Sequence, residues 1–278
     1  MKIKFVFKTL SPQEILSSVL KSKILIKKAL LFFVVLNLAH TSFSQKTDST
    51  KDVFHFGGAA LVTNNGISLI PTLSLGKPAA IFDIYMGKGK LSFEPEFRFA
   101  LEGKPWSFLF WWRYKLIAND KFRMTLGAHP AMNFRTIIDT TNGVEKEIIV
   151  TRRYLATELA PNYWLSKNIS VGIYYLYSHG LDPGTTKNTH YITANTSFSN
   201  IRITNQFLLR VSPQFYYLNL DSEDGFYFSS SLSFAMKNFP LAIASIINKT
   251  IQTDIAASKS FVWNISLVYS FNKTYVTK

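Results

Sequence analysis

The residues of this sequence most able to do chemistry are charged, and they recur at every second position. Glu94, Glu96 and Arg98 share one side of the alternating stretch 91–101, while Leu91, Phe93, Pro95, Phe97, Phe99 and Leu101 share the other. Carrying that phase through the following stretches adds Arg113, Lys115, Arg123, His129, Asn133, Arg135, Arg152, Glu158 and Arg210 to the polar side. Seven of these are basic and three are acidic, so the face they share should favour anions. Guanidinium groups offer fixed donor forks that fit carboxylate and phosphate, and charged rings tune what passes a narrow path. The same charges can also neutralise one another in a packed polar interior. A symmetric hairpin through 102–105 sets Glu94 opposite Arg113, a pair partly shielded from bulk water. Lys115 opposite Arg123 would instead concentrate positive charge.

Two other constellations invite a chemical reading. His179 and His190 flank the stretch 181–188, and a symmetric hairpin there would bring both imidazoles together near Asp182, a set able to hold a divalent metal. Rim histidines in water are the simpler account, and we expect no metal and no cofactor. Ser178 and His179 are adjacent, the types of a nucleophile and its base. Successive strand residues point to opposite faces, so these two cannot readily form that pair, and no catalytic residue is assigned. No phosphate loop, zincin motif or dinucleotide fingerprint is present.

The elements that must position the charged face follow from the period of two, which puts polar groups on one side of a strand and large aromatics on the other. Stretches 91–101, 106–117 and 122–135 are each about long enough to cross a bilayer once as a tilted strand. With 47% hydrophobic, 15% aromatic and 17% charged residues, and no apolar run of 18 after position 45, the composition argues against a helical membrane protein. We therefore expect an all-β fold, a transmembrane antiparallel up-and-down β-barrel of about 12 strands, with 10 or 14 as alternatives. Predicted strands are 67–75, 79–87, 91–101, 106–117, 121–135, 148–165, 169–180, 189–199, 204–220, 226–236, 241–252 and 261–271. Short turns at 88–90, 118–120, 166–168, 200–203 and 237–240 alternate with connections at 102–105, 139–147, 181–188, 221–225 and 254–260, longer on average and more polar. The stretch 53–63 is strand-like and has no assigned place. Pro71, Pro95, Pro130, Pro161 and Pro213 interrupt strand faces, where bulges or bends are expected.

At the N-terminus, Lys21, Lys23, Lys27 and Lys28 precede the apolar run Ala29 to Ala39, then Ser42, Ser44 and Gln45. This reads as a signal peptide over 1–44, followed by a periplasmic segment 45–52, the barrel over 53–271 and a C-terminal tail 272–278. Cysteine is absent, which excludes disulfides, thiolate metal sites and a lipid-modified cysteine. The net charge is +14, of which seven lysines and one glutamate in residues 1–44 supply +6, leaving +8 beyond them. Nucleic acid is the usual partner of a basic chain. Export and the placement of these charges on alternating strand faces argue against it.

The final stretch Phe261 to Phe271, FVWNISLVYSF, alternates apolar positions and ends on an aromatic. With the strand ladder over 53–271, it resembles the small outer-membrane β-barrel proteins of Gram-negative bacteria, of Bacteroidota-like, porin or channel type. Asn272 to Lys278 follow here, whereas that class usually stops at the aromatic. The resemblance implies an outer-membrane location, contact with lipid and lipopolysaccharide, delivery by barrel-insertion machinery, and a channel passing or binding a small anionic solute. It leaves open a structural or accessory barrel with an envelope protein partner, and an outer-membrane lipid hydrolase, because one architecture hosts many functions.

Overall fold

The computed structural model describes residues 53–140 and 145–276, and the expectations for 1–44 and 45–52 lie outside them. Twelve strands follow in chain order: β1 Val53–Thr63, β2 Ala79–Lys88, β3 Leu91–Ala100, β4 Pro105–Ala118, β5 Phe122–Asp139, β6 Lys146–Ser166, β7 Ile169–Gly180, β8 Asn188–Arg202, β9 Phe207–Leu220, β10 Glu223–Met236, β11 Leu241–Thr253 and β12 Phe261–Val276. Each pairs antiparallel with the next, and β12 returns to β1, which closes the barrel. Closure matters because a barrel without edges leaves no strand hydrogen bonds unpaired in lipid.

The outward phase is apolar and exposed, as at Phe82, Trp112, Leu126, Leu155, Ile173, Ile192, Phe215, Ile243 and Ile265. Cross-strand ring pairs such as Phe93–Trp112, with centroids 4.5 Å apart, and Phe108–Phe134, at 4.9 Å, knit this surface. Such a wall suits hydrocarbon. Tight turns such as Gly89–Lys90 lie at the end where β1 begins and β12 stops, and the longer connections lie at the other.

Two boundaries depart from the expectation. The first strand is Val53–Thr63, and 67–75 is no strand: it lies in the β1–β2 connection around a 3₁₀ turn, Pro71–Leu73. Pro71 supplies no N–H for a ladder and suits the start of such a turn, while 53–63 alternates and meets β2 and β12 on both flanks. Residues 272–276 are likewise part of β12 rather than a tail. They are the partners of Val53–Gly57, in register Val53↔Val276, and without them the start of β1 would be a bare edge in the barrel.

The prolines produce no register shift where they were expected to. Beside Pro95, Pro130, Pro161 and Pro213 the ladder lapses for two residue pairs on one flank and continues in register on the other. In an antiparallel ladder a residue bonds only one of its neighbours, so a missing N–H harms one seam alone. The shifts fall elsewhere, between Arg98 and Phe99, Lys115 and Ile117, Trp164 and Ser166, Phe198 and Ile201, and Phe226 and Tyr227.

Candidate functional site

The inward faces of β3 to β7 carry one connected charge network. Arg113 on β4 donates to Glu158 on β6, at 2.6 Å from Nε and 3.2 Å from Nη2, and through Nη1 to Glu94 on β3. Ser92 donates to Glu94 at 2.6 Å, and Tyr174 on β7 donates to the second oxygen of Glu158 at 2.7 Å. Glu158 is buried, 3% exposed, and Gly127 opposite it leaves the space, since a Cβ there would stand 2.7 Å from the Glu158 side chain. A carboxylate so placed needs these partners, because an unpaired charge there would be costly. Arg98 pairs with Glu96, and its guanidinium lies 5.0 Å from the centre of the Trp106 ring. Arg113 likewise lies 4.4 Å from the Trp111 ring, which packs on His129 at 3.8 Å.

The expected partners are met with a displaced register. Glu94 stands opposite Trp111 and Arg113 opposite Ser92, so the Glu94–Arg113 pair is diagonal, made by long side chains across two positions. Lys115 faces Thr125 rather than Arg123, because the β4–β5 hairpin closes two positions off the symmetric register, and the irregularity after Lys115 moves Arg123 one further, opposite Ala118. Arg123 instead lies over Trp164, 4.6 Å from the ring centre. Asn133 donates to the Trp106 carbonyl at 3.3 Å, and Arg135 to the Thr72 carbonyl. Arg152 lies opposite Asn133. Asp83, opposite Glu96, belongs to the inward set and was missed; β2 is in the same phase, with Phe82 turned outward. It raises the acidic count of the inward set to four against seven basic residues.

The wall from β8 to β10 is built differently. Tyr191, Tyr216, Leu218, Leu220 and Tyr227 form a buried cluster with Ile255 from the β11–β12 connection. Tyr216 and Tyr227 stack with centroids 4.8 Å apart, and Asn248 donates to the Tyr216 hydroxyl at 2.7 Å. None of these was foreseen. Their signal is visible in retrospect: each tyrosine shares its phase with Thr189, Thr193 or Ser229, while Ile192, Phe215 and Phe226 take the other.

The short-turn half of the interior is lined by small polar groups instead. A cavity of about 570 Å³ is lined there by Arg210, Ser233, Ala235, Ala242, Ser270 and Asn272, among others. A second, of about 370 Å³, is lined by His55, Gly57, Tyr85 and Lys115 and shares Phe271 and Asn272 with the first. Arg210 and Lys115, which line these cavities, are exposed and form no ion pair among the described residues, so this vestibule is basic; Arg123, exposed over Trp164, lines neither.

The histidine pair does not assemble. His179 stands opposite Asn188, and His190 opposite Tyr177, with its Nδ1 2.9 Å from the Tyr175 hydroxyl. Asp182 is engaged by Arg153, whose Nη2 donates at 2.6 Å, and no group of three metal-ligating side chains occurs among the described residues. That ion pair holds the Asp182 carboxyl down to about 2, chiefly through the Arg153 side-chain hydrogen bond. Ser178 is buried and His179 exposed on the opposite face.

No protein-family model matches the sequence, and no curated protein matches it. Solved structures do resemble the fold. The "KdgM porin" superposes with a TM-score of 0.50 at 9% identity, over 78% of this chain and 99% of that one. The COG4313 outer membrane channel from Pseudomonas putida F1 gives 0.45 at 10% identity, over 82% and 99%. LpxR from Salmonella typhimurium gives 0.45 at 10%, over 77% and 100%. The closed twelve-stranded barrel with its lipid-facing exterior is the fold of bacterial outer-membrane β-barrels.

Proposed function

We propose that the chain is an outer-membrane barrel of transport or channel type whose basic vestibule admits or binds small anionic solutes. The observation that carries this reading is that Lys115 and Arg210 line open cavities, exposed and without an ion pair among the described residues, while Glu94, Glu96 and Glu158 are each held by an arginine. Within a Debye length of about 8 Å, uncompensated charge in a narrow path biases which ions enter. Export through a signal peptide ending near Gln45, and assembly by barrel-insertion machinery that engages β12, complete the proposal. The filled long-loop half favours a second reading, a structural or accessory barrel holding an envelope protein partner.

The test is a reversal potential in a salt gradient across planar bilayers. Wild-type barrel should prefer chloride over potassium, and Lys115→Glu with Arg210→Glu should shift the potential toward cation preference. A barrel that does not conduct, or whose selectivity ignores both substitutions, moves the function to the accessory reading.

A further inference from the structure

Whereas the β11–β12 connection contributes Ile255 to the tyrosine cluster, the β1–β2 connection enters the barrel and reaches both walls. Twelve strands at about 4.8 Å spacing and about 40° tilt enclose a backbone diameter of about 24 Å, which side chains from both walls reduce to a gap one loop can fill. The connection spans that gap. On one side, Trp106 of β4 donates from its indole nitrogen to the Leu73 carbonyl at 2.8 Å, and Arg135 of β5 donates to the Thr72 carbonyl. On the other, Leu69 and Ile70 pack against the cluster of Tyr191, Tyr216, Leu218 and Tyr227 on β8 to β10. In a ring of twelve, β4 and β10 are diametrically opposed.

The segment is also self-contained. Gly66 N–H donates to the Lys77 carbonyl at 2.8 Å, Leu75 and Gly76 donate back to the Gly66 carbonyl at 3.0 and 3.1 Å, and the Ser74 hydroxyl accepts from Ser68 N–H and donates to the Ser68 carbonyl. Gly66 is needed at this neck, where a Cβ would meet Leu75 and Trp106 at 3.0 and 3.1 Å. A compact loop that satisfies its own backbone can move as a unit about its neck, breaking the bonds from Trp106 and Arg135 and the packing of Leu69 and Ile70. Behind it lies a cavity of about 280 Å³, lined by Ser68, Pro71, Leu75, Tyr227, Asn248 and Val262 among others. The Asn65 and Asn248 side chains also border it, and the Oδ1 of each is buried without a partner. The neck is tied to β12, where Ile265 N–H donates to the Asn64 side chain at 2.8 Å and Asn65 donates to the Trp263 carbonyl and accepts from the Asn264 side chain, so the space is open to the part of the loop beyond Asn65.

We infer that residues 66–76, hinged on a neck that Asn64, Asn65 and Pro78 bind to the wall, are the gate of the pore, closed in this structure, and that permeation requires this loop to leave its place between Trp106 and the tyrosine cluster. The inference rests on the channel reading and names the element that controls it. Two variants test it in planar bilayers: one with 67–75 replaced by a short glycine–serine linker, and Trp106→Phe combined with Arg135→Gln, which keeps the loop and loosens its ties. Heat-modifiable migration on gels reports folding of each. Both should raise the conductance or the open fraction several-fold over wild type. Folded variants that conduct no more than a conducting wild type overturn the gate and leave the channel standing. If neither wild type nor the shortened barrel conducts, the channel reading falls with it. Should the shortened barrel fail to fold, the point-substituted one carries the test, supported by a single Ile70→Cys: its reaction with a water-soluble maleimide should be slow in the intact loop and fast with the Trp106 and Arg135 substitutions. Equal rates overturn the gate.

Discussion

The two halves of the barrel interior hold charge for different purposes. In the long-loop half and the middle, Glu158, Trp106 and Tyr227 are each at most 3% exposed, and the arginine at the centre, Arg113, is bound by two carboxylates. In the short-turn half, serines and alanines leave room for water, and Lys115 and Arg210 face it without a counter-ion. Charge that is compensated and desolvated holds neighbouring strands together, whereas charge left in water is available to a solute. Substitutions in the first half should therefore read out as stability, and in the second as selectivity.

The largest loss should come from Tyr227→Ala, which removes a buried ring stacked on Tyr216 and a hydroxyl shared with Thr253 and Ser258 at 2.8 and 2.7 Å. Truncating an aromatic at such a site costs about 3–5 kcal/mol, measurable by urea unfolding of lipid-refolded barrel. Glu158→Gln should cost less, about 2 kcal/mol, since an amide keeps an acceptor for Tyr174 while Arg113 retains only Glu94 as a charged partner. Arg210→Gln in the vestibule should stay within about 0.5 kcal/mol of wild type in the same assay. A loss there as large as that of Glu158→Gln would erase the distinction between the halves.

The smallest effect belongs to the exposed rim. Asp182 is depressed to about 2 by Arg153, so the folded loop is favoured above the ordinary carboxylate value of 3.8, and that preference is lost as pH falls through about 2. Carbon-13 titration of the carboxyl should give a midpoint near 2. Arg153→Gln should return it toward the ordinary range.

Much of this division was legible in the sequence where a period of two governs. Alternation in β3 and β4 placed Glu94, Glu96, Arg98 and Arg113 on the lumen side and Phe93, Phe97 and Trp112 on the lipid side, because a one-residue slip would expose every charge to hydrocarbon. Pairing across strands was less legible. The Glu94–Arg113 contact exists, but the hairpin closes two positions off the symmetric register, and side-chain length restored the contact. His179 and His190 had no such reach, and their juxtaposition failed. The tyrosine wall was hidden because tyrosine suits lipid and lumen alike, and only its shared phase with threonine and serine marks it as inward. Twelve strands emerged from the sequence although the first was misplaced, since 53–63 took the position given to 67–75. What converts a strand-like count into a loop across the lumen is a long-range matter, settled by Trp106 and Arg135, which lie 33 and 63 residues from their partners.

The division of the interior is tested most directly at two serines of β10. Ser231 is exposed to the vestibule, and Ser229, two residues along the same face, is 2% exposed beneath the filled half. The chain has no cysteine, so single Ser231→Cys and Ser229→Cys variants report alone. With a membrane-impermeant thiol reagent applied to oriented barrels, Ser231→Cys should label many times faster from the short-turn side than from the long-loop side, while Ser229→Cys stays unlabelled from both. Labelling of Ser229→Cys at the rate of Ser231→Cys, or labelling of Ser231→Cys equally fast from both sides, would contradict the account.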